Sequence, residues 1–166
     1  MTSLLRYKPR KETRRIILHD SHTVPEIQEV MDVPRWASLA QDGALKMGLM
    51  SIGYHFIIER NGFVVGCRDV DLIGSHTPGF NMDSVGICLV GGREELDGEG
   101  VDNFTKGQRH ALLSLCHELR LKYPGVVLQG HTEVQRYRRR DHPPCPPIDM
   151  DLLREDLDLY SKGYVL

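Results

Sequence analysis

Two short apolar runs in this chain each end in a histidine, and together they restrict what it can fold into. Ile16-Ile17-Leu18 is followed by His19, and Val126-Val127-Leu128 leads through Gln129-Gly130 to His131. Short runs rich in β-branched residues and closed by polar residues or glycine read as buried strands. In sheets flanked by helices, ligands bind beyond the carboxyl ends of the strands, which is where both imidazoles fall. A thiol follows His131 in the stretch Pro143-Pro144-Cys145-Pro146-Pro147. Three protein ligands with a fourth position open hold a catalytic zinc, whereas a structural zinc is closed by four. One such ion lowers the pKa of bound water and polarises a carbonyl, the chemistry of amide or ester hydrolysis. The chain has no HExxH helix and no CxxC pair. Spacing therefore leaves open the plainer reading, in which strand-end histidines are ordinary satisfied polar groups.

The intervening sequence alternates strands and helices. Arg14 to Leu18 reads as the first strand. Ile27, Val30 and Met31 recur at helical spacing over Pro25 to Met31, and Pro34 opens a helix to Gln41 with Trp36, Leu39 and Ala40 inward. Gly48 to Ser51 is expected as loop. Gly53 to Glu59 then reads as a strand, with a hairpin turn at Arg60-Asn61-Gly62 and a return over Phe63 to Cys67. Strict alternation would put Tyr54, Phe56 and Ile58 on one face and His55 and Ile57 on the other. Gly74 to Asn81 is a glycine-broken loop, Val85 to Val90 a buried strand, and Glu94 to Asp102 an acidic solvent loop. Thr105 and Gln108 form a capping box for a helix carrying Leu112, Leu115, Cys116 and Leu119, stopped at Tyr123-Pro124-Gly125. Asp149 caps a last helix with Met150, Leu153, Leu157 and Tyr160 inward. The expected fold class is α/β: a single domain with a central mixed β-sheet flanked by helices, and a zinc site at the C-terminal rim of the strands. Residues 1–13 are a polar lead-in and 14–166 the domain.

Charge and length exclude several classes. A chain of 166 residues is one ordinary domain, and its net charge of -2 gives no nucleic-acid partner. The N-terminal run Arg6, Lys8, Arg10, Lys11, Arg14, Arg15 reads as a solvated face or tail. Arg136, Arg138, Arg139 and Arg140 lie beside the proposed ligands, where they are either solvated or steer anions. No stretch approaches the roughly 20 apolar residues of a membrane span, so no membrane insertion is expected. The N-terminus has no signal-peptide core, so the chain is expected to stay in the cytoplasm that makes it. Cys67, Cys88 and Cys116 sit in apolar contexts and read as buried thiols rather than a disulfide framework. His22 is expected behind His19 or in solvent, and His110 and His117 at the surface.

Five segments in order, IILHDSHT, GYHFIIERNG, GSHTPGFNMDSVGICLVGG, GHTEV and CPPID, resemble the type 2 N-acetylmuramoyl-L-alanine amidases. The resemblance runs from about Arg14 to Leu153 and is greatest to the short phage endolysins of that family, whose fold is shared with peptidoglycan-recognition proteins. It implies zinc bound by His19, His131 and Cys145, and a catalytic role for Tyr54. It also implies cleavage of the amide between the lactyl group of N-acetylmuramic acid and the first L-alanine of the peptide stem. His76 and Asn81 match the family's substrate-groove pattern. On their own residues, Tyr54 could equally be a core tyrosine, and His76 and Asn81 a turn held by local hydrogen bonds. The family carries a lysine two positions before the ligand cysteine, and Pro143 stands there. His142, ahead of Arg140, is the nearest group to supply a cation and to protonate the leaving amine. The implied partners are bacterial peptidoglycan and a holin that releases the enzyme from the host cytoplasm to the wall, with no separate wall-binding module. Alternatives are a cytoplasmic amidase recycling muropeptides, or a non-catalytic peptidoglycan-binding module. The retained Cys145 speaks against the last, and Pro143 for it.

Overall fold

The computed structural model describes residues 7–41, 45–135 and 144–164. Its centre is a five-stranded sheet built from β1 (Arg15–Asp20), β2 (Phe56–Ile58), β3 (Val64–Gly66), β4 (Ser84–Leu89) and β5 (Val127–Gly130), in the order β3-β2-β4-β1-β5. β2, β4, β1 and β5 run parallel, and β3 pairs antiparallel with β2 at the edge. The sheet is thus mixed, as the sequence predicts. Its central strands are apolar on both faces because both are covered. Ile16, Leu18, Val85, Ile87 and Leu89 pack on one side against α3 (Lys106–Lys122) and α5 (Met150–Ser161). On the other side, Ile57, Cys88 and Val90 pack against Val30, Val33, Ile52 and Trp36 of α1 (Pro34–Gln41).

Local rules place the helix starts. Thr105 accepts from the Gln108 N–H while the Gln108 side chain reaches back to the Thr105 N–H. Asp149 accepts from the Leu152 N–H at the head of α5. Gly62 alone takes positive φ in the hairpin, at 90°, and Asn61 contributes by accepting from the Phe63 N–H.

Three local expectations fail for tertiary reasons. Pro25 to Met31 is not a helix; only a 3-10 turn, Val30–Asp32, forms. The Asp32 carboxylate takes the N–H groups of Gln28 and Glu29, and Glu59 takes that of Val30, so these donors leave the helical pattern. Gly48 to Ser51 is not loop but part of α2 (Leu45–Ser51). A Cβ at Gly48 would lie 2.3 Å from the Leu39 carbonyl oxygen, so this glycine lets α1 and α2 touch rather than breaking the chain. The strand expected from Gly53 starts only at Phe56. Tyr54 therefore escapes the alternation and packs with Ile57, on the face opposite Phe56 and Ile58.

The described part of the N-terminal segment is tied down. Pro9 bridges Leu72, the Ile73 N–H donates to Lys8, and the Arg10 guanidinium donates to the Leu72 carbonyl and the Tyr123 hydroxyl. Among the described residues no helix is long and apolar enough to cross a membrane.

Candidate metal centre

β1 and β5 are neighbours in parallel register, Leu18 opposite Gly130, so their C-terminal ends lie side by side. His19 is the second-last residue of β1, and His131 opens a short helix, α4 (His131–Val134), directly after β5. Their ring centroids are 4.5 Å apart. α4 is fixed from below: Glu133 accepts from the Gly130 N–H and pairs through both oxygens with Arg154 of α5. The Arg154 hydrogen bonds hold the Glu133 carboxyl below its usual range.

Cys145 reaches the same place through Thr132. The Thr132 hydroxyl accepts from the Cys145 N–H at 2.7 Å and donates to its carbonyl at 3.2 Å, and the Thr132 N–H donates to that carbonyl at 2.9 Å. One ligand atom each from His19, His131 and Cys145 lies within 4.8 Å of the others, close enough to hold a metal ion. His19 and Cys145 are buried, at 2% and 3% exposure. Asp20, His22 and Cys145 form a second such trio sharing the thiol. There the Asp20 carboxylate already accepts from the His22 N–H and lies 2.9 Å from the His22 ring.

Both histidines have Nε2 engaged. That of His19 lies 3.2 Å from the Thr77 hydroxyl and 3.1 Å from His76 Nδ1. That of His131 lies 2.6 Å from Gln135 Oε1. Tyr54 stands with its ring 5.1 Å from His19 and 6.2 Å from Trp36, edge-on to both. Burial, with the Cys88 and Cys145 thiols nearby, pushes the phenol well above its ordinary pKa, so it stays a proton donor.

Residues 9–146 match the N-acetylmuramoyl-L-alanine amidase family. The chain belongs to that family. It is 37% identical over 161 residues to the endolysin of Klebsiella phage KP32, covering 96% of this chain and 97% of that one. It is also 37% identical to the endolysin of Escherichia phage T7, over 88% of each. Its fold matches that of the N-acetylmuramoyl-L-alanine amidase LysC from Clostridium intestinale, with TM-score 0.65, 22% identity, and 92% and 89% of the two chains covered.

Within this amidase the remaining candidates fall as follows. His76 lies between Gly74 and Gly86, its ring turned toward His19. Asn81 Oδ1 accepts from the N–H groups of His76 and Thr77, holding the loop turn. His22 sits at φ 55° beside Asp20. His110 and His117 pack edge-on against Tyr160 of α5, away from the site. His142, Arg140, Pro143 and the other loop arginines lie outside the described residues.

Thr77 and Gln135 were not singled out by the sequence, although Thr77 touches His19 and Gln135 touches His131. GHTEV marks His131, but nothing local marks the glutamine after it. A Cβ at Gly86 would lie 2.5 Å from His76 Cδ2. Gly86→Ala is therefore expected to displace that ring and cost about 1–3 kcal/mol, read as a lower thermal midpoint.

His55 sets a pH dependence. Its Nδ1 accepts from the Gly86 N–H and its Nε2 donates to the Leu72 carbonyl. Burial, with Arg10 and Arg68 adding the same sign, lowers its pKa from 6.5 to about 4 against the opposing Leu72 bond. The unfolded chain thus takes this proton first. Stability is full above about pH 6.5 and declines as pH falls toward 4, by ~3 kcal/mol in total. Urea unfolding at pH 5 should show ~2 kcal/mol less stability than at pH 7 from this group. His55→Gln should remove that share of the difference, while the share from His76, lowered to about 3 chiefly by burial, remains.

Proposed function

We propose that this amidase acts as a phage endolysin. It binds one zinc ion through His19, His131 and Cys145, and cleaves the bond between N-acetylmuramic acid and L-alanine in bacterial peptidoglycan. The observation that carries the zinc reading is the donor set. Two imidazoles with Nε2 committed elsewhere and one buried thiol converge at the rim of the sheet, and this set suits zinc. When bound, zinc in such a set brings the pKa of a water toward neutrality and polarises the scissile carbonyl.

The chain's own groups do the rest. Tyr54, held protonated, donates to the oxygen that gains charge as the amide carbonyl is attacked. Burial of His19 and Cys145 keeps solvent from the inner side of the site, strengthening that hydrogen bond. The loop 74–81, ordered by Asn81 and His76, walls the substrate groove. His142 protonates the leaving L-alanine nitrogen. Release from the host cytoplasm to the wall calls for a membrane-permeabilising partner of the holin kind.

The test combines metal analysis with wall turbidity. Purified protein should carry one zinc and clear intact sacculi, releasing L-alanine amino termini without new reducing sugar ends. A chelator should stop clearing and zinc restore it. Clearing that a chelator leaves untouched would refute the zinc reading. Activity confined to soluble muropeptides would place the protein in wall recycling instead.

A further inference from the structure

We infer that Thr77 and Gln135 are positioning residues that deliver both ligand histidines to the metal in one tautomer, Nε2 protonated and Nδ1 presented, from a single shared loop. This rests on the zinc reading above. The protons can be counted along the hydrogen bonds. Ser84 donates its hydroxyl proton to the Phe80 carbonyl at 2.7 Å, so toward His76 Nε2, 3.4 Å away, it can only accept. His76 therefore carries its proton on Nε2, and its Nδ1 accepts. Two groups face that Nδ1: the Thr77 hydroxyl at 2.8 Å and His19 Nε2 at 3.1 Å. If Thr77 donates to it, the Thr77 oxygen can only accept from His19 Nε2, 3.2 Å away. If His19 donates to it directly, the result is the same. Both arrangements put the His19 proton on Nε2, and the lone pair on Nδ1.

The second histidine is fixed from the same loop. Gln135 Nε2 lies 2.8 Å from the Pro78 carbonyl, which can only accept, so the amide NH2 must point there. Its Oε1 then faces His131 Nε2 at 2.6 Å and can only accept. His131 is thereby protonated on Nε2, with its lone pair on Nδ1. Thr77 and Pro78 are consecutive, and Thr77 is fully buried. One two-residue strap thus sets the orientation of two candidate ligands, one near the end of β1 and one at the start of α4. Partners of this kind raise ligand basicity and fix the ring, and their loss typically costs about 10–100-fold in metal affinity.

The experiment measures zinc affinity by competition with a chromophoric chelator for wild type, Thr77→Val, Thr77→Ser, Gln135→Leu and Gln135→Glu. Imidazole 15N spectra of the zinc-loaded wild type and the thermal midpoint of each apoprotein accompany it. Thr77→Val and Gln135→Leu should each weaken zinc binding by about 10–100-fold. Thr77→Ser, which keeps the hydroxyl, should stay near wild type. Gln135→Glu, which keeps the acceptor toward His131 but not the donor toward Pro78, should lose less affinity than Gln135→Leu. The Gln135→Leu apoprotein should melt with the wild-type apoprotein, separating lost affinity from lost fold. Both ligand rings should show a protonated Nε2. Unchanged affinity in Thr77→Val and Gln135→Leu, or spectra showing Nε2 as the ligating atom, would overturn the inference while leaving the zinc site standing. Wild-type protein that takes up no zinc would overturn both.

Discussion

Cys145→Ser is expected to leave a folded chain that retains no zinc after dialysis and has lost about 10³-fold or more in turnover on sacculi. The size follows from the several kcal/mol of charge stabilisation that a catalytic metal supplies, at 1.36 kcal/mol per tenfold in rate. The fold should survive because the backbone at Cys145 is held by Thr132, through its hydroxyl and its N–H. A serine hydroxyl stays protonated near neutral pH and is a far poorer zinc ligand than a thiolate. The two overlapping trios make the companion variants informative. His131→Ala should behave like Cys145→Ser, whereas His22→Ala should keep both zinc and turnover. Zinc content by elemental analysis, circular dichroism and turbidity loss decide it. Retained zinc and turnover in Cys145→Ser would remove the thiol from the site. Loss of both in Cys145→Ser and His22→Ala but not in His131→Ala would move the metal to the second trio.

The convergence of the candidate ligands was legible because two of them obey a topological rule. His19 and His131 end strands that are neighbours and parallel, and the rule that sites form at carboxyl ends needed only the apolar runs before them. The helix caps at Thr105 and Asp149 were legible for an equally local reason, a side chain bonding a backbone three residues on. What the sequence hid is long-range. Gly48 reads as a breaker until the Leu39 carbonyl is seen against it. Ile27, Val30 and Met31 have helical spacing, but the Glu59 carboxylate on the Val30 N–H competes for the backbone. Thr77 and Gln135 act on histidines through bonds whose meaning depends on Ser84, Phe80 and Pro78, and no pattern along the chain joins those residues. The family match across residues 9–146 supplies the chemistry that spacing left open.

Tyr54→Phe separates a core tyrosine from a catalytic one. The ring sits edge-on to Trp36 and His19 and packs in the core beneath α1. Phenylalanine keeps every one of those apolar contacts and removes a single hydroxyl. Fold, thermal midpoint and zinc content should therefore stay near wild type. Removal of one donor to a developing oxyanion costs about 10²–10³-fold in kcat. The loss should fall on kcat with KM little changed, because the hydrogen bond strengthens only as charge builds on the amide oxygen. The pH profile carries an independent signature. Burial raises the phenol well above its ordinary pKa, so Tyr54 stays a donor across the neutral range and contributes no alkaline limb there. A Tyr54→Phe enzyme within a few-fold of wild-type kcat would make this residue a packing tyrosine. One that also lost its zinc would make the hydroxyl part of the ligand scaffold. A drop in kcat with zinc and stability intact is the outcome that places the proton donor of this amidase at Tyr54.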